Sequence, residues 1–553
     1  MRFKYLVLAA FSGILLGLST GVIPGSHLAF MEWFGFVPLF MVLTQVSRFR
    51  DYFIYTLFTF LIFFIIAIYS FFSAFFAGGL MILIIGSVQF SVPIMVLYFF
   101  KKKIGWKYSL LLLPFIWTVY EYVFIQSRFS IALLSTSVSQ APYLWLVQYA
   151  DILGSGAITF WIALLNVLLA ILIFDWREHN YKSARGFLIK RFALILLMFL
   201  IPLSYSFTVF NSKEYSNGRK VTVSLIQPNI NPQDKWHNSA MTEAVYKTID
   251  LTDSLLKVTK TDLVIWPEVA VPYVIMHEKN IRDTVFGSAA KWNTALLTGT
   301  VDMKYFYDST EIPPLVKYLH RRYELYNAAM MITPQLASLR NEPGFGSLDV
   351  KTYKKNNLMP VTEYFPYANE FPVLSNLCLD FGGGTNWSPG IGPKTLLFAD
   401  GNGNRIEVSP VICWDILYPK IIVESAKENN GFLAFISNEG WFGKSITAYE
   451  IENFTRLRSI ETRRSIAKCG NTGYTFFTDP YGEVYGKIPW WQPLTSTEKI
   501  RLSSAQTFYM NHSGLFPDAC AAAGLLMFIY FIKKKKRIIN KNVYLTKKSK
   551  EFL

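Results

Sequence analysis

Apolar stretches near the roughly 20 residues that cross a bilayer recur through the first 210 positions. They run over 4–23, 28–47, 52–76, 78–100, 108–126, 157–175 and 190–210, and an eighth occupies 514–532. Ala77 and neighbouring glycines alone separate the third from the fourth, which predicts a tight turn at the membrane surface. The stretch 131–156 is too apolar for an ordinary loop and too interrupted for a span, so it is expected in or against the outer leaflet. From residue 211 the pattern changes. Short β-branched and aromatic runs at 220–226, 262–266, 295–299, 325–332, 408–413 and 432–437 predict strands. Helical periodicity at 241–258 and 449–465 lies between them. Asp400-Gly401-Asn402-Gly403 and Asp479-Pro480-Tyr481-Gly482 predict tight turns between strands. Such an alternation gives a mixed sheet covered by helices. The expected division is a seven-span α-helical membrane domain over 1–210, an α/β domain over 211–512, a C-terminal transmembrane helix over 513–532 and a basic tail over 533–553.

The charges between spans give an orientation. Arg48 and Arg50 follow the second span, Lys101, Lys102, Lys103 and Lys107 the fourth, and Arg177, Lys182, Arg185, Lys190 and Arg191 the sixth. The intervening loops are nearly free of Lys and Arg: Pro24–Ser26 has none and 127–156 has only Arg128. By the positive-inside rule both termini are expected in the cytoplasm and the α/β domain outside it. Arg2 and Lys4 before the first apolar run also fit a signal peptide, but a series of spans with alternating loop charge follows.

Composition narrows the class. With 52% hydrophobic and 17% charged residues, the chain is neither disordered nor a purely soluble enzyme. The net charge of +16 invites a nucleic-acid reading, yet nine basic residues against one acid follow Ile532, which is half the total. A basic cluster beside a span sets topology or touches anionic lipid, so no nucleic-acid partner is expected. Four cysteines are too few for a disulfide scaffold. Cys378 and Cys469 share the outer side and are free to pair, but spacing assigns no disulfide. The six histidines are scattered and no Gly-rich Lys-Ser/Thr phosphate loop is present, so no metal and no cofactor is expected.

Three places carry chemistry. Trp266-Pro267-Glu268 closes a hydrophobic strand with a carboxylate; Tyr353-Lys354-Lys355 supplies an ammonium ahead of the acid Glu363; Val411-Ile412-Cys413-Trp414-Asp415 ends another apolar strand with a thiol. A carboxylate takes the thiol proton, the thiolate attacks a carbonyl, and the ammonium neutralises the oxyanion. Taken singly, Cys413 reads as a core residue, Glu268 as a cap or ion-pair acid and Lys355 as a surface charge. Their surroundings change that balance.

WPEVAVP at 266–272, YKKNNLMPVTEYFP at 353–366, ICWDILYP at 412–419 and SNEGWFG at 437–443 resemble the glutamate, lysine, cysteine and tryptophan motifs of the carbon–nitrogen hydrolase (nitrilase) superfamily. Asn386-Trp387-Ser388-Pro389-Gly390 and Gly470-Asn471-Thr472-Gly473 also fall where family motifs occur. Seven spans, a catalytic domain and a final span are similar in order to the superfamily's membrane branch, the apolipoprotein N-acyltransferases. The resemblance implies a nitrilase-type α-β-β-α sandwich with a Glu268–Lys355–Cys413 triad, choosing Lys355 over Lys354. It implies support from Glu363, oxyanion or supporting roles for Trp414 and Asp415, and substrate contact at Trp441 and Asn438. The family has His-Leu-Val-Pro-Phe-Gly-Glu where this chain has Asn357, Leu358, Met359, Pro360, Val361, Thr362 and Glu363, and a glutamate where Asp415 stands.

The implied reaction moves an acyl chain from phospholipid, through a Cys413 thioester, to the α-amine of the S-diacylglyceryl cysteine that begins a lipoprotein. Topology supports the donor independently, because ATP and acyl-CoA are cytoplasmic whereas phospholipid is present in the outer leaflet. Partners are then the bilayer, its phospholipid and a diacylated lipoprotein, the enzyme being a monomer in a bacterial inner membrane with a periplasmic catalytic domain. Two other readings stay open: a membrane-anchored nitrilase-like amidase, in which water resolves the thioester, and a lipid-handling scaffold with a decayed triad.

Overall fold

A computed structural model describes all residues except 1, 22–26, 75, 131, 179–180, 234, 237, 380–383, 444–445 and 552–553. The basic-free loop Pro24–Ser26 and the first residue of the 131–156 stretch lie outside the described residues. The chain forms two compact units, one of Met1–Ile125, Leu134–Phe207 and His512–Leu553, the other of Gln126–Leu133 and Thr208–Asn511.

Among the described residues seven helical segments are long and apolar enough to cross a membrane: Leu28–Gln45, Phe49–Ala67, Gly78–Ile104, Trp106–Ile125, Ser155–Arg177, Ile189–Ser212 and Leu515–Arg537. The first expected span appears as the shorter apolar helix Phe3–Ser19, whose 17 residues rise about 26 Å at about 1.5 Å each. The second is not one continuous α-helix. A 3₁₀ turn, Leu28–Trp33, precedes the α-helix Val37–Gln45. Buried Asn166 closes the break, donating to Glu32 O at 2.7 Å and accepting from Phe36 N–H at 2.9 Å. Backbone freed at membrane depth needs such a protein partner. The interrupted stretch after Leu134 is a chain of short turns (Val138–Gln140, Leu144–Val147, Ala150–Leu153). Glu121 grips its start, accepting from Thr136 N–H at 3.1 Å and Ser135 Oγ at 3.2 Å.

The second unit holds thirteen strands among the described residues. The first six are β1 (Lys220–Gln227), β2 (Leu263–Ile265), β3 (Val271–Val274), β4 (Ala295–Tyr305), β5 (Tyr323–Ile332) and β6 (Thr352–Lys354). Then come β7 (Leu396–Ala399), β8 (Arg405–Ile412), β9 (Phe432–Ser437), β10 (Ile466–Gly470), β11 (Thr475–Thr478), β12 (Val484–Ile488) and β13 (Leu494–Arg501). They form two sheets where the strand pattern alone suggested one: β13-β1-β2-β4-β5-β6, with β3 on β4, and β12-β11-β10-β9-β8-β7. Parallel strands occupy the middle of each sheet (β1-β2-β4 and β8-β9-β10), with antiparallel strands toward the edges.

Alternation along the strands explains the layering. Val223, Leu225, Ile265 and Leu297 of the first sheet meet Val408, Ile412, Ala434 and Ile436 of the second in one inter-sheet core. Their neighbours Val264, Trp266, Leu296 and Met330 face outward and bury Val245, Ile249, Val285 and Phe286 of the helices Asn238–Leu256 and Lys279–Trp292. The helices Pro419–Lys427 and Ile446–Thr462 lie against β8, β9 and β11 of the second sheet, which completes the α-β-β-α sandwich. Cys469 lies in the inter-sheet core with its sulfur 3.2 Å from Ile226 O and 3.3 Å from Ile265 O, and both it and Cys378 are free thiols.

Candidate active site

Three strand ends converge. Glu268 follows β2 by three residues, Lys355 follows β6 directly and Cys413 follows β8 directly. Trp266 anchors the first turn, fully buried and donating its indole N–H to Thr252 Oγ1 at 3.0 Å. Val269, a β-branched residue, takes φ +46° just after Glu268. Such a backbone costs energy and persists only where the surroundings impose it. Gly299 of β4 is one reason: a Cβ there would overlap Pro267 O and Val269 N and lie 2.8 Å from Glu268 Cα. Cys413 also takes φ +46°, at the sharp turn from β8 into the helical turn Cys413–Leu417. The N–H of Trp414, in the first turn of that segment, is among the donors that a helix start leaves without an intrahelical acceptor.

Lys355 is held by backbone on both sides, its N–H donating to Asn327 O at 2.8 Å and its carbonyl accepting from Gly390 N–H at 2.7 Å. Gly390 belongs to the 386–390 motif, and a side chain there would overlap Lys354 O. The ammonium of Lys355, 2% exposed, lies 3.4 Å from Glu268 Oε1 and 2.8 Å from Glu363 Oε2. Lys354 points elsewhere, over the Tyr326 ring and 3.4 Å from Asp302. Glu363 is fixed by Met359 N–H at 2.7 Å, and Glu268 Oε1 accepts the amide N–H of Asn327 at 2.7 Å.

Electrostatics couple the three groups. Burial opposes the Lys355 charge, but Cys413, Glu363 and Glu268 together carry its pKa well above the usual lysine range. The Cys413 thiol is pushed well above its usual range, first by burial and then by Glu268, with Lys355 pulling it down and Glu363 and Glu439 adding to the rise. Cys413 is therefore held as a protonated thiol coupled to Glu268 and Lys355, an arrangement in which a thiol proton can pass to a neighbouring carboxyl oxygen.

Asp415 ties the nucleophile turn to the lysine segment. Fully buried, its Oδ1 accepts from Asn357 N–H at 2.7 Å and Asn357 Nδ2 at 3.0 Å; its Oδ2 accepts from Tyr353 OH at 2.8 Å and Ile412 N–H at 3.3 Å. Burial raises its pKa and the Asn357 and Tyr353 hydrogen bonds oppose that rise. Two departures from the family pattern, Asn357 and Asp415, thus touch one another. Asn438 uses its side-chain oxygen within the fold, accepting from Gly440 N–H at 3.3 Å and Asn471 Nδ2 at 3.1 Å. Trp441 sits three residues on in the same helical turn, Glu439–Phe442. Asn471, of the 470–473 motif, also binds Ile230 O at 2.7 Å and so joins the loop after β1 to the loop after β9.

Residues not singled out from sequence complete the site. Asn327 lies between Lys355 and Glu268; the buried Lys235 places Nζ 3.4 Å from Glu268 O; Lys468 and Glu439 form a buried 2.9 Å pair. Trp236 packs with Val269, Leu358 and Trp387. A polar Asn inside the apolar run 325–332 was a readable signal; Lys235, in a loop, offered none.

Residues 222–509 match the Carbon-nitrogen hydrolase family, and residues 12–168 match the Apolipoprotein N-acyltransferase N-terminal domain. Fold and site together define a carbon–nitrogen hydrolase joined to a membrane domain. The apolipoprotein N-acyltransferase of Chlorobaculum tepidum is 33% identical over 536 residues, 96% of this chain and 97% of that one. The chain belongs to the apolipoprotein N-acyltransferase family, the acyltransferases of that superfamily. The relative from Geobacter metallireducens is 25% identical over 540 residues, 96% of this chain and 95% of its own. Among solved structures, Nit3 of Saccharomyces cerevisiae, from branch 10 of the nitrilase superfamily, aligns at 13% identity with a TM-score of 0.33, covering 54% of this chain and 94% of that one.

Proposed function

We propose that this protein transfers a fatty acyl chain from phospholipid to the N-terminal S-diacylglyceryl cysteine of lipoproteins by a ping-pong sequence. Glu268 takes the Cys413 proton as sulfur attacks the ester carbonyl. Lys355, held by Glu363, and the Trp414 N–H stabilise the tetrahedral oxyanion; losing one such stabiliser costs about 3–4 kcal/mol of barrier. The protonated Glu268 gives its proton to the departing lysophospholipid, leaving a thioester on Cys413. The lipoprotein α-amine then attacks, forming the amide and returning the thiol. Ester to thioester is modestly uphill and thioester to amide strongly downhill, so the sequence needs no external energy source.

The observation that carries this reading is the direct Lys355–Glu268 contact, electrostatically coupled to Cys413, in a chain with membrane spans. Asp415 acts by fixing the Cys413 turn to the Lys355 segment, and Trp441, beside Asn438, lines the substrate side. The loop charges support a bacterial inner-membrane protein with cytoplasmic termini, spans over 1–210 and 513–532, a periplasmic catalytic domain over 211–512 and a cytoplasmic tail over 533–553. A single copy supplies every residue of the site, so it works as a monomer. The test is mass spectrometry of a lipoprotein N-terminus in cells depleted of this protein and complemented with wild type or Cys413→Ala. Wild type should add one acyl chain and Cys413→Ala none, while incubation with acyl-labelled phospholipid should leave a hydroxylamine-sensitive adduct on wild type alone. An adduct that persists on Cys413→Ala overturns the proposal, and acyl release only as free fatty acid points to an amidase-like hydrolase.

A further inference from the structure

The Asn327 side chain has its amide nitrogen bonded and, among the described residues, its oxygen without a donor. Its Nδ2 donates to Glu268 Oε1 at 2.7 Å, and its backbone carbonyl holds the N–H of Lys355 at 2.8 Å. The residue is 4% exposed, yet among the described residues nothing donates to its side-chain Oδ1. Turning the amide over is no remedy, because Oδ1 would then face the Glu268 carboxylate, an acceptor with nothing to donate. The residue cannot withdraw either: β5 pairs it with Val301 on one side, and the Lys355 segment binds its carbonyl on the other. A buried acceptor without a donor is unfavourable, and one fixed beside the base is placed to receive a proton-bearing group there.

The chemistry of the two half-reactions identifies that group, on the reading of a Cys413 thioester given above. The thiol brings one proton to the site, and Glu268 takes it. A phospholipid ester brings none at its reacting carbonyl. A primary amine brings two. We propose that Asn327 Oδ1 binds the incoming α-amine of the acceptor, accepting the N–H that remains on nitrogen in the amide product, while Glu268 accepts the other. The nitrogen–carbon bond forms as the carbon–sulfur bond breaks, and the proton taken by Glu268 passes to the Cys413 sulfur. Asn327 thereby aims the nitrogen lone pair at the thioester carbonyl and favours primary amines over nucleophiles with a single proton.

The test separates discharge of the thioester by two nucleophiles. Enzyme acylated with radiolabelled phosphatidylethanolamine in detergent is mixed with a synthetic diacylated lipopeptide bearing a free N-terminus, or with dithiothreitol, whose thiol carries one proton. Asn327→Leu, similar in volume, also loses the donor to Glu268, so every step through Glu268 slows together. Amine discharge should slow by a further tenfold or so, about the effect of losing one net hydrogen bond. An amine-to-thiol discharge ratio within about twofold of wild type, well below the roughly tenfold that one net hydrogen bond carries, overturns the inference and leaves Asn327 merely orienting the base. If Asn327→Leu is too unstable to acylate, Asn327→Ser, polar but too short to reach the amine, is expected to show the same ratio defect. Failure of the wild type to form any thioester would instead overturn the reading on which this rests.

Discussion

On the proposed mechanism, replacing Glu268 by Gln removes the acceptor of the thiol proton while nearly preserving the shape held by Asn327 and Lys355. A thiol near the ordinary value of about 8.5 is roughly 3% thiolate at pH 7. Burial, Glu268, Glu363 and Glu439 hold Cys413 well above that range, so unaided it carries less. Removing Glu268 takes away one of the raising charges, which lowers the thiol pKa, but burial, the largest cause, stays. The loss of the base therefore outweighs the gain in thiolate. A positioned base contributes about 10²–10⁴-fold, or roughly 3–5 kcal/mol of barrier. The assay is the rate of Cys413 alkylation by iodoacetamide, resolved by peptide mass spectrometry between pH 6 and 10. Wild type should react readily at neutral pH. Glu268→Gln should react about 10²-fold or more slowly there, climbing about tenfold per pH unit to above pH 9 as the free thiolate fraction does. A Glu268→Gln enzyme alkylated at the wild-type rate, with a plateau near neutral pH, refutes the assignment of Glu268 as base.

Asn357→His and Asp415→Glu should each slow thioester formation, because each disturbs the same buried contact. The double variant should recover part of the loss, with a coupling of about 0.5–3 kcal/mol in a double-mutant cycle; additive losses would show that the two positions act separately. Gly299→Ala forces a Cβ into the Pro267–Val269 turn and should cut the acylation rate tenfold or more for only about 1–3 kcal/mol of stability, measured by thermal unfolding in detergent. Unchanged activity there would show that the turn tolerates displacement. Burial lowers the Lys235 pKa from the usual 10.5 to about 8, with Glu268 opposing the fall. The unfolded chain then binds more protons between those values, so wild-type stability relative to Lys235→Met should rise with pH across about 8 to 10.5, by roughly 3 kcal/mol in all. A flat difference across that window refutes the buried, depressed ammonium.

Much of the frame was readable because it rests on local patterns. Runs of apolar residues coincide with seven helical segments long and apolar enough to cross a membrane among the described residues, and 432–437 matches β9 residue for residue. The turn at Asp400–Gly403 joins β7 to β8, and that at Asp479–Gly482 joins β11 to β12. Glu268, Lys355 and Cys413 could be singled out as candidates because each stands at or just past the end of a strand, and the structure brings Lys355 against Glu268. What was lost depends on distant partners. β10 contains Lys468, which reads as polar until Glu439 of another loop neutralises it, and β13 (LTSTEKIR) is a strand only because β1, more than 260 residues earlier, pairs with it over eight positions. The second span breaks at Phe34–Phe36 because Asn166, far along the chain, satisfies the freed backbone. The support for Asp415 likewise comes from Tyr353 and Asn357, about 60 residues earlier.

Glu268 and Lys355 descend from one sheet and Cys413 from the other. Their mutual reach is accordingly a caliper on the gap that Val223, Leu297, Val408 and Ala434 fill. Cys413 packs against that same filling, so trimming a methylene from it is expected to let the jaws shift and to blunt the chemistry before either sheet unfolds. Turnover in this enzyme is thus a finer gauge of interior packing than melting temperature.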